Sequence, residues 1–334
     1  MNPRDLKYCP SLLTEGYSTY SPAALRRLFG GKRVSHILSY DAPQQSEGDT
    51  EKFLENRKRI SISGVQEKFS MILDKNRLRL TEPGQHGTYI LKPIPRDLKK
   101  VDQLPANEHL TMQIAAQVYG VNTAACGIIF FKNGDPAYIT RRFDVKEDGS
   151  RWGKEDFASL AGKTSDIAGP NFKYDASYEE IGTLLRRFVP AWRVEIEKFF
   201  SVVVFNYLFS NGDAHLKNFS LLETESGDYL LSPAYDLVNT RIHVDDSDFA
   251  LDKGLFADGF RSAAFKKSGH PGKEDFLEFG RRLGIDLGRV ERLLLPFLKK
   301  QEVVEKLAGR SFPSEPVKRA YLLDYNNRRN RLTA

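Results

Sequence analysis

The alternation of apolar and polar positions changes character twice along the chain. Residues 1–58 carry little regular pattern apart from Ser21-Pro-Ala-Ala-Leu-Arg-Arg-Leu-Phe29. There, serine at the cap, proline at the first helical position and Gly30-Gly31 beyond the end predict a short helix. Asp41–Thr50 is polar and rich in turn residues, and reads as a loop. From Arg59 the period becomes two. Ile60-Ser-Ile-Ser63 alternates, Gly64 interrupts, and Lys68–Leu73 resumes as a strand. Asn76 turns the chain into Arg77–Leu80, and Thr88–Lys92 follows as another strand. Ala106–Tyr119 then sets Leu110, Ile114 and Val118 on one helical side and stops at Gly120. Gly127–Phe131 and Ala137–Thr140 predict a hairpin around Asn133-Gly134. Beyond Arg151 the pattern turns helical, over Tyr178–Val189, Val194–Phe209, Lys273–Leu283 and Val290–Leu307. Val194–Phe209 is apolar on nearly every face and predicts a buried helix. After it, Phe219–Leu222 and Tyr229–Leu231 predict a second hairpin across Glu223–Asp228.

An antiparallel sheet with one helix packed on it, followed by a mainly helical half, is an α+β arrangement in two lobes. The expected divisions are an N-terminal segment over 1–58, a sheet lobe over 59–147 and a helical lobe over 148–334. The lobe boundary falls in Asp144–Gly153, where charge and glycine replace the periodic pattern. A length of 334 residues suits two lobes, and 40% hydrophobic with 28% charged residues is an ordinary soluble composition. No apolar run reaches the roughly 20 residues of a membrane span, and the polar start Met1-Asn-Pro-Arg-Asp5 does not read as a secretory signal. Cys9 and Cys126 offer neither a disulfide framework nor a metal pattern, so a reducing, cytoplasmic setting is expected. A net charge of +6 is mild for this length and fits a solvated basic surface. The basic stretches Lys318–Tyr321 and Asn326–Arg331 read chiefly as a solvated terminal helix, with phosphate-backbone contact as the sharper alternative.

The stretch Asn211-Gly-Asp-Ala-His-Leu-Lys-Asn-Phe219 carries the strongest chemistry. Asp213 and Asn218 lie five residues apart, and Asp236 follows the second hairpin. Acid, amide and second acid suit phosphoryl transfer: one carboxylate orients the proton of an attacking hydroxyl, while the amide and the other acid hold Mg²⁺ on the nucleotide phosphates. Asn-Gly-Asp alone is also ordinary turn chemistry. His215 is placed to reach the transferring group, or to brace the loop through a backbone carbonyl, the reading favoured slightly. Lys217 reads as a solvated loop lysine. Lys92 ends a strand before Pro93, and Glu108, sixteen residues on, falls in the first turn of the helix. The two would pair and hold phosphates as in protein kinases, or stand as an exposed strand-end lysine and a helix-dipole glutamate. Between two strands, Ser61-Ile-Ser-Gly-Val-Gln-Glu-Lys68 occupies the place of a phosphate-covering loop. Backbone N–H groups around Ser63, Gly64 and Val65 would cradle phosphate and Gln66 would add a donor; a plain β-turn weighs equally. Arg142-Phe143, at the end of the first hairpin, would pack on an adenine, against plain core packing for Phe143.

The order of these motifs resembles the HipA-type serine/threonine kinases, toxin halves of bacterial toxin–antitoxin modules. The resemblance runs from about Arg59 to Lys299. It rests on Ser61-x-Ser-Gly-Val-Gln-Glu-Lys68, Ile90-Leu-Lys92, Asn107-Glu108, Arg142-Phe-Asp144, Asn211-Gly-Asp-x-His-x-x-Asn-Phe-Ser220 and Pro233-x-Tyr-Asp236. It implies a two-lobed protein-kinase-like fold with ATP and Mg²⁺ in the cleft between lobes. It further implies Asp213 as catalytic acid/base, Asn218 and Asp236 as metal ligands, Lys92 as the phosphate lysine, and Arg142-Phe143 at the adenine-binding hinge. The N-terminal region is shorter than in the longer members, as in the HipT form, where a separate small protein supplies the missing subdomain. Ser61 and Ser63 resemble that form's autophosphorylation site. The family's substrates are aminoacyl-tRNA synthetases, the tryptophanyl enzyme for the HipT form. Its partners are an antitoxin and, through a DNA-binding protein of the complex, DNA. Two rivals remain: a small-molecule kinase using the same residues, and a non-catalytic, DNA-associated corepressor.

Overall fold

A computed structural model describes residues 3–42, 67–82, 84–95 and 98–333 of the chain. Ser61, Ser63, Gly64, Val65 and Gln66, with the strand expected over Ile60–Ser63 and most of Asp41–Thr50, lie outside those residues. The chain divides into two compact units: one comprises Met1–Leu110, Ala125–Arg142 and Arg310–Ser314, the other Thr111–Ala124, Phe143–Gly309 and Glu315–Ala334.

The first unit is built on a five-stranded antiparallel sheet. Its strands are β1 (Phe69–Asp74), β2 (Arg77–Leu80), β3 (Tyr89–Lys92), β4 (Cys126–Phe130) and β5 (Pro136–Arg141), in the order β2-β1-β3-β5-β4. The turn between β1 and β2 takes Lys75 into the left-handed region at φ 54°. Gly87 is required where the chain enters β3, since a Cβ there would lie 2.2 Å from Ser70 Oγ. All five positions of β4 are buried, because both of its faces are covered.

The N-terminal segment, nearly patternless in sequence, proves to be half of this core. Helix α1 (Pro22–Phe29) forms as expected: Ser21 Oγ accepts from Ala24 N at 3.2 Å, and Gly30 closes the helix at φ 62°. Its Ala24, Leu28 and Phe29 join Cys9, Tyr20, Val34 and Leu38 against Met71, Tyr89, Leu91, Ile129 and Ile139. The same segment satisfies the outer edge of β4. Ile128 N donates to Pro10 O at 2.6 Å, Phe130 N to His36 O at 2.8 Å, and Tyr20 Oη to Ile128 O at 2.7 Å. An otherwise bare sheet edge is thereby closed.

Helix α2 (Leu104–Gln117) starts two residues before the expected Ala106, and every residue from Leu104 to Ala115 is buried. The single apolar side expected from sequence understates this burial, because Asn107, Glu108, His109, Thr111 and Gln113 are enclosed as well.

The second unit is mainly helical, with α3 (Tyr178–Phe188), α4 (Trp192–Leu208), α5 (Lys273–Arg282), α6 (Leu287–Leu298), α7 (Glu302–Arg310) and α8 (Glu315–Thr333). A capping box starts α3: Glu180 N donates to Ser177 Oγ at 3.1 Å and Ser177 N to Glu180 Oε2 at 2.6 Å. Helix α4 is the buried one expected. Phe199 packs edge-on against Phe219 at 5.4 Å, Phe200 stacks on Phe279 at 6.0 Å, and Tyr207 meets Phe276 at 5.2 Å. The helix expected over Val290–Leu307 is two helices. Pro296 removes a backbone donor near the end of α6, and Lys299 then turns extended at φ −80°, ψ 141°. The expected second hairpin is present as β7 (Ser220–Glu223) and β8 (Tyr229–Leu231), and a further strand, β6 (Lys154–Asp156), pairs with β7. The terminal helix α8 is not a solvated one throughout, for Arg328 is 2% exposed. No helix among the described residues is long and apolar enough to cross a membrane.

Candidate functional site

The loop after α4 is held by the second unit's own core. Ser210 takes φ 53°, turning the chain sharply off the helix. Thr240, fully buried, receives both sides of that turn: its Oγ donates to Ser210 O at 2.9 Å and accepts from Gly212 N at 2.8 Å. Arg328 of α8 donates through Nε to Ser210 Oγ at 3.2 Å and pairs with Asp248. Gly212 has no room for a side chain, since a Cβ would sit 2.5 Å from Asp246 Cβ. Beyond it the loop curls on itself, with His215 N donating to Asp213 O at 2.8 Å and Asn218 N to His215 O at 2.9 Å. Ala214 and Leu216 are buried at 1% and anchor the loop on either side of His215.

One amide bonds to the backbone at both acids. Asn211 Oδ1 accepts from Asp213 N at 3.3 Å, and Asn211 Nδ2 donates to Asp236 O at 3.4 Å and to Asn206 Oδ1 of α4 at 2.9 Å. Asp236 itself stands in the left-handed region at φ 55°, uncommon for any residue but glycine. The backbone at both predicted acids is therefore bonded to a single buried side chain.

Asp213 is 8% exposed, and its Oδ1 accepts from Tyr174 Oη at 3.1 Å. His215, 2% exposed, brings Nε2 to 3.9 Å from the same oxygen, and its ring meets Tyr174 edge-on at 5.3 Å. The histidine lies near the acid, at a separation longer than a hydrogen bond. Lys217 is exposed as expected, 3.8 Å from Asp156. Asn218 Oδ1 is buried and has no hydrogen-bond partner among the described residues. An orphaned amide oxygen is costly to bury unless something takes its lone pairs, and a hard cation such as Mg²⁺ does so. No group of three His, Cys, Asp or Glu gathers as a metal cluster among the described residues. Mg²⁺ does not require one, being commonly held by one or two protein oxygens together with substrate phosphates. The Asn218 oxygen is of the kind that fits the ion.

In the first unit, Lys92 Nζ lies 2.6 Å from Glu108 Oε1, with the lysine 4% and the glutamate 3% exposed. Glu108 is the fifth residue of α2 and so sits past the first turn. An exposed strand-end lysine and a helix-dipole glutamate do not describe this pair. Lys92 also lies over the Tyr138 ring, its partner in the β3–β5 ladder, at 5.2 Å. Arg142, half-buried, donates its backbone N–H to Thr88 O at 2.9 Å. In the second unit, half-buried Phe143 packs 5.7 Å from Tyr235, with Lys154 Nζ over both rings at 5.8 and 5.4 Å.

Sequence reasoning did not single out Tyr174, Thr240 or Arg328, and quoted Asn211 without a role. Asn211 was within reach, being part of the motif. Tyr174 lies 39 residues before the acid it touches, and no periodicity marks such a contact.

The chain is 25% identical over 353 residues to a Haemophilus influenzae protein provisionally named a kinase, covering 97% of this chain and 96% of that one. It is 28% identical over 211 residues to the serine/threonine-protein kinase toxin HipA of Shewanella oneidensis, covering 57% of this chain but only 46% of the toxin. Among solved structures, it superposes on a chain of the Shewanella oneidensis MR-1 complex of HipA, HipB and operator DNA. That match has a TM-score of 0.65 at 21% identity and covers 86% of this chain and 67% of that chain. The fold is accordingly the α+β, protein-kinase-like one expected. The family described as HipA-like C-terminal domain matches residues 60–306, taking in both the Lys92–Glu108 pair and the Asp213 loop, and the chain belongs to it.

Proposed function

We propose that this protein is an ATP- and Mg²⁺-dependent serine/threonine protein kinase, acting in the cytoplasm as the toxin of a bacterial toxin–antitoxin module. The observation that carries the reading is the buried Asn211 side chain, which accepts from the backbone N–H of Asp213 and donates to the backbone carbonyl of Asp236, together with an amide oxygen on Asn218 that lacks a partner among the described residues. Asp213 accepts or orients the proton of the acceptor hydroxyl, with His215 beside it. Lys92, steadied by Glu108, places a point charge on the nucleotide phosphates. Asn218 and Asp236 supply oxygen ligands, and Mg²⁺ when bound neutralises charge building on the phosphates. Arg142 and Phe143 serve the adenine, and Ser63, Gly64, Val65 and Gln66 the phosphates.

The finer parts of the reading rest on the family. The target is an aminoacyl-tRNA synthetase, in the HipT-like form the tryptophanyl enzyme, whose modification would halt translation. Autophosphorylation at Ser61 or Ser63 would add about −1.5 to −2 charge beside the nucleotide phosphates and oppose ATP binding. The partners are a small antitoxin protein and a DNA-binding protein, with DNA reached only through the complex; the Shewanella complex of HipA, HipB and operator DNA supports that assignment.

The test is incubation with γ-labelled ATP, Mg²⁺ and a bacterial extract. Label in a synthetase and in the protein itself is expected. Label confined to small molecules would make it a small-molecule kinase, and no ATP turnover at all would leave the corepressor.

A further inference from the structure

Tyr174 lies in the segment between two helices, Ser165–Ala168 and α3, and its hydroxyl donates to Asp213 Oδ1 at 3.1 Å. The contact is set up by the backbone on both sides. Lys173 O accepts from Leu216 N of the Asp213 loop at 3.0 Å, and Tyr174 O accepts from Asp252 N at 2.9 Å. The ring is held edge-on to His215 at 5.3 Å, with Lys173 Nζ 5.1 Å from its centroid. A tyrosine pinned in this way presents its O–H at a fixed point. An aspartate, by contrast, has a broad torsion about its last bond, so its rotamer alone does not fix where the carboxylate oxygens point. An ionised carboxylate can only accept, and the phenol supplies the donor that sets its plane.

We infer that Tyr174 is a positioning residue for phosphoryl transfer, orienting the Asp213 carboxylate toward the acceptor hydroxyl. This rests on the kinase reading above and deepens it. The phenol takes no part in bond making. It reduces the angular freedom of the group that receives the proton, and misorientation there is felt in the rate, because proton transfer needs a short, aligned contact. Nucleotide affinity depends on other residues and should not change.

Tyr174→Phe tests the inference, because it keeps the ring against His215 and removes only the donor. Label transfer from γ-labelled ATP into the proteins of a bacterial extract is measured against ATP concentration for wild type and variant. Binding of a fluorescent ATP analogue and the melting temperature are measured alongside. The expected result is a maximal rate lowered roughly 10- to 100-fold, the scale of one lost hydrogen bond to a charged group, with KM for ATP, analogue binding and melting temperature unchanged. An unchanged rate overturns the inference. So does a faster one, which would make Tyr174 an occluding group in the place of the acceptor. A slower rate accompanied by lost analogue binding or a lower melting temperature assigns it a structural role instead. If wild type transfers no label, the kinase reading itself fails, and the two failures are told apart.

Discussion

Lys92 and Glu108 form a buried ion pair 2.6 Å apart, joining the last residue of β3 to the second turn of α2. Removing one partner should cost far more than removing both. Lys92→Met strands a buried carboxylate and is expected to destabilise the protein by about 3–5 kcal/mol. In the double variant Lys92→Met/Glu108→Leu most of that loss should return, while binding of a fluorescent ATP analogue should not. Denaturant unfolding and analogue titration on the same samples separate the structural share of the pair from its share in holding phosphate. Recovery of nucleotide binding in the double variant would show that Lys92 makes no phosphate contact.

Asp213→Asn keeps the shape of the side chain and its acceptor oxygen for Tyr174, but cannot take a proton. Label transfer is expected to fall by about 10²–10⁴-fold, the span of general-base contributions, with nucleotide binding kept. Near-normal turnover would remove Asp213 from the mechanism.

Asn218 offers a buried oxygen without a partner among the described residues. Asn218→Ala should therefore raise the Mg²⁺ concentration needed for half-maximal transfer on the order of tenfold or more, while Asn218→Asp, which keeps an oxygen there, should be milder. Titrating Mg²⁺ at fixed ATP measures both. Equal Mg²⁺ dependence in wild type and alanine variant would exclude a ligand role.

His109 supplies a pH dependence in the first unit. It is fully buried, its Nε2 lies 2.7 Å from Ser11 O, and burial holds its pKa down to about 4 against an ordinary 6.5. The unfolded chain takes up the proton at about pH 6.5 and the folded one only near 4, so the unfolded state binds more protons between them. Its contribution is complete above that upper value and is lost as pH falls through the window, for a total of about 3 kcal/mol. Unfolding curves between pH 4 and 7 should show this slope in wild type and a flatter one in His109→Gln. Identical slopes would mean the histidine is already protonated when folded.

Much of this architecture was readable because its strands are short runs rich in apolar residues, set apart by turns that carry glycine or asparagine. The strands β1 to β5, the hairpin of β7 and β8 and the capped α1 fell within a residue or two of expectation. What escaped had a physical reason in each case. Lys154-Glu-Asp156 pairs through its backbone alone, so three charged residues gave no sign of a strand. The N-terminal segment packs through scattered side chains of irregular spacing, which no window can pick out. Arg328 reads as solvent-facing in any charge count, yet it is buried over the Tyr207 ring at 4.9 Å. The acids and amide of the loop were legible from spacing, whereas Tyr174 needed the fold to bring it there.

The Arg328 contact also bears on how the molecule can be handled. This one guanidinium reaches the sharp bend at Ser210 and shares Asp248 with His270 and Arg331. Cutting the chain short of Arg328, as truncation to aid expression or crystallisation would do, leaves Asp248 short of counter-charges and slackens the bend from which the Asp213 loop departs. A trimmed protein could be well folded yet catalytically silent, and its silence would be mistaken for the absence of an enzyme.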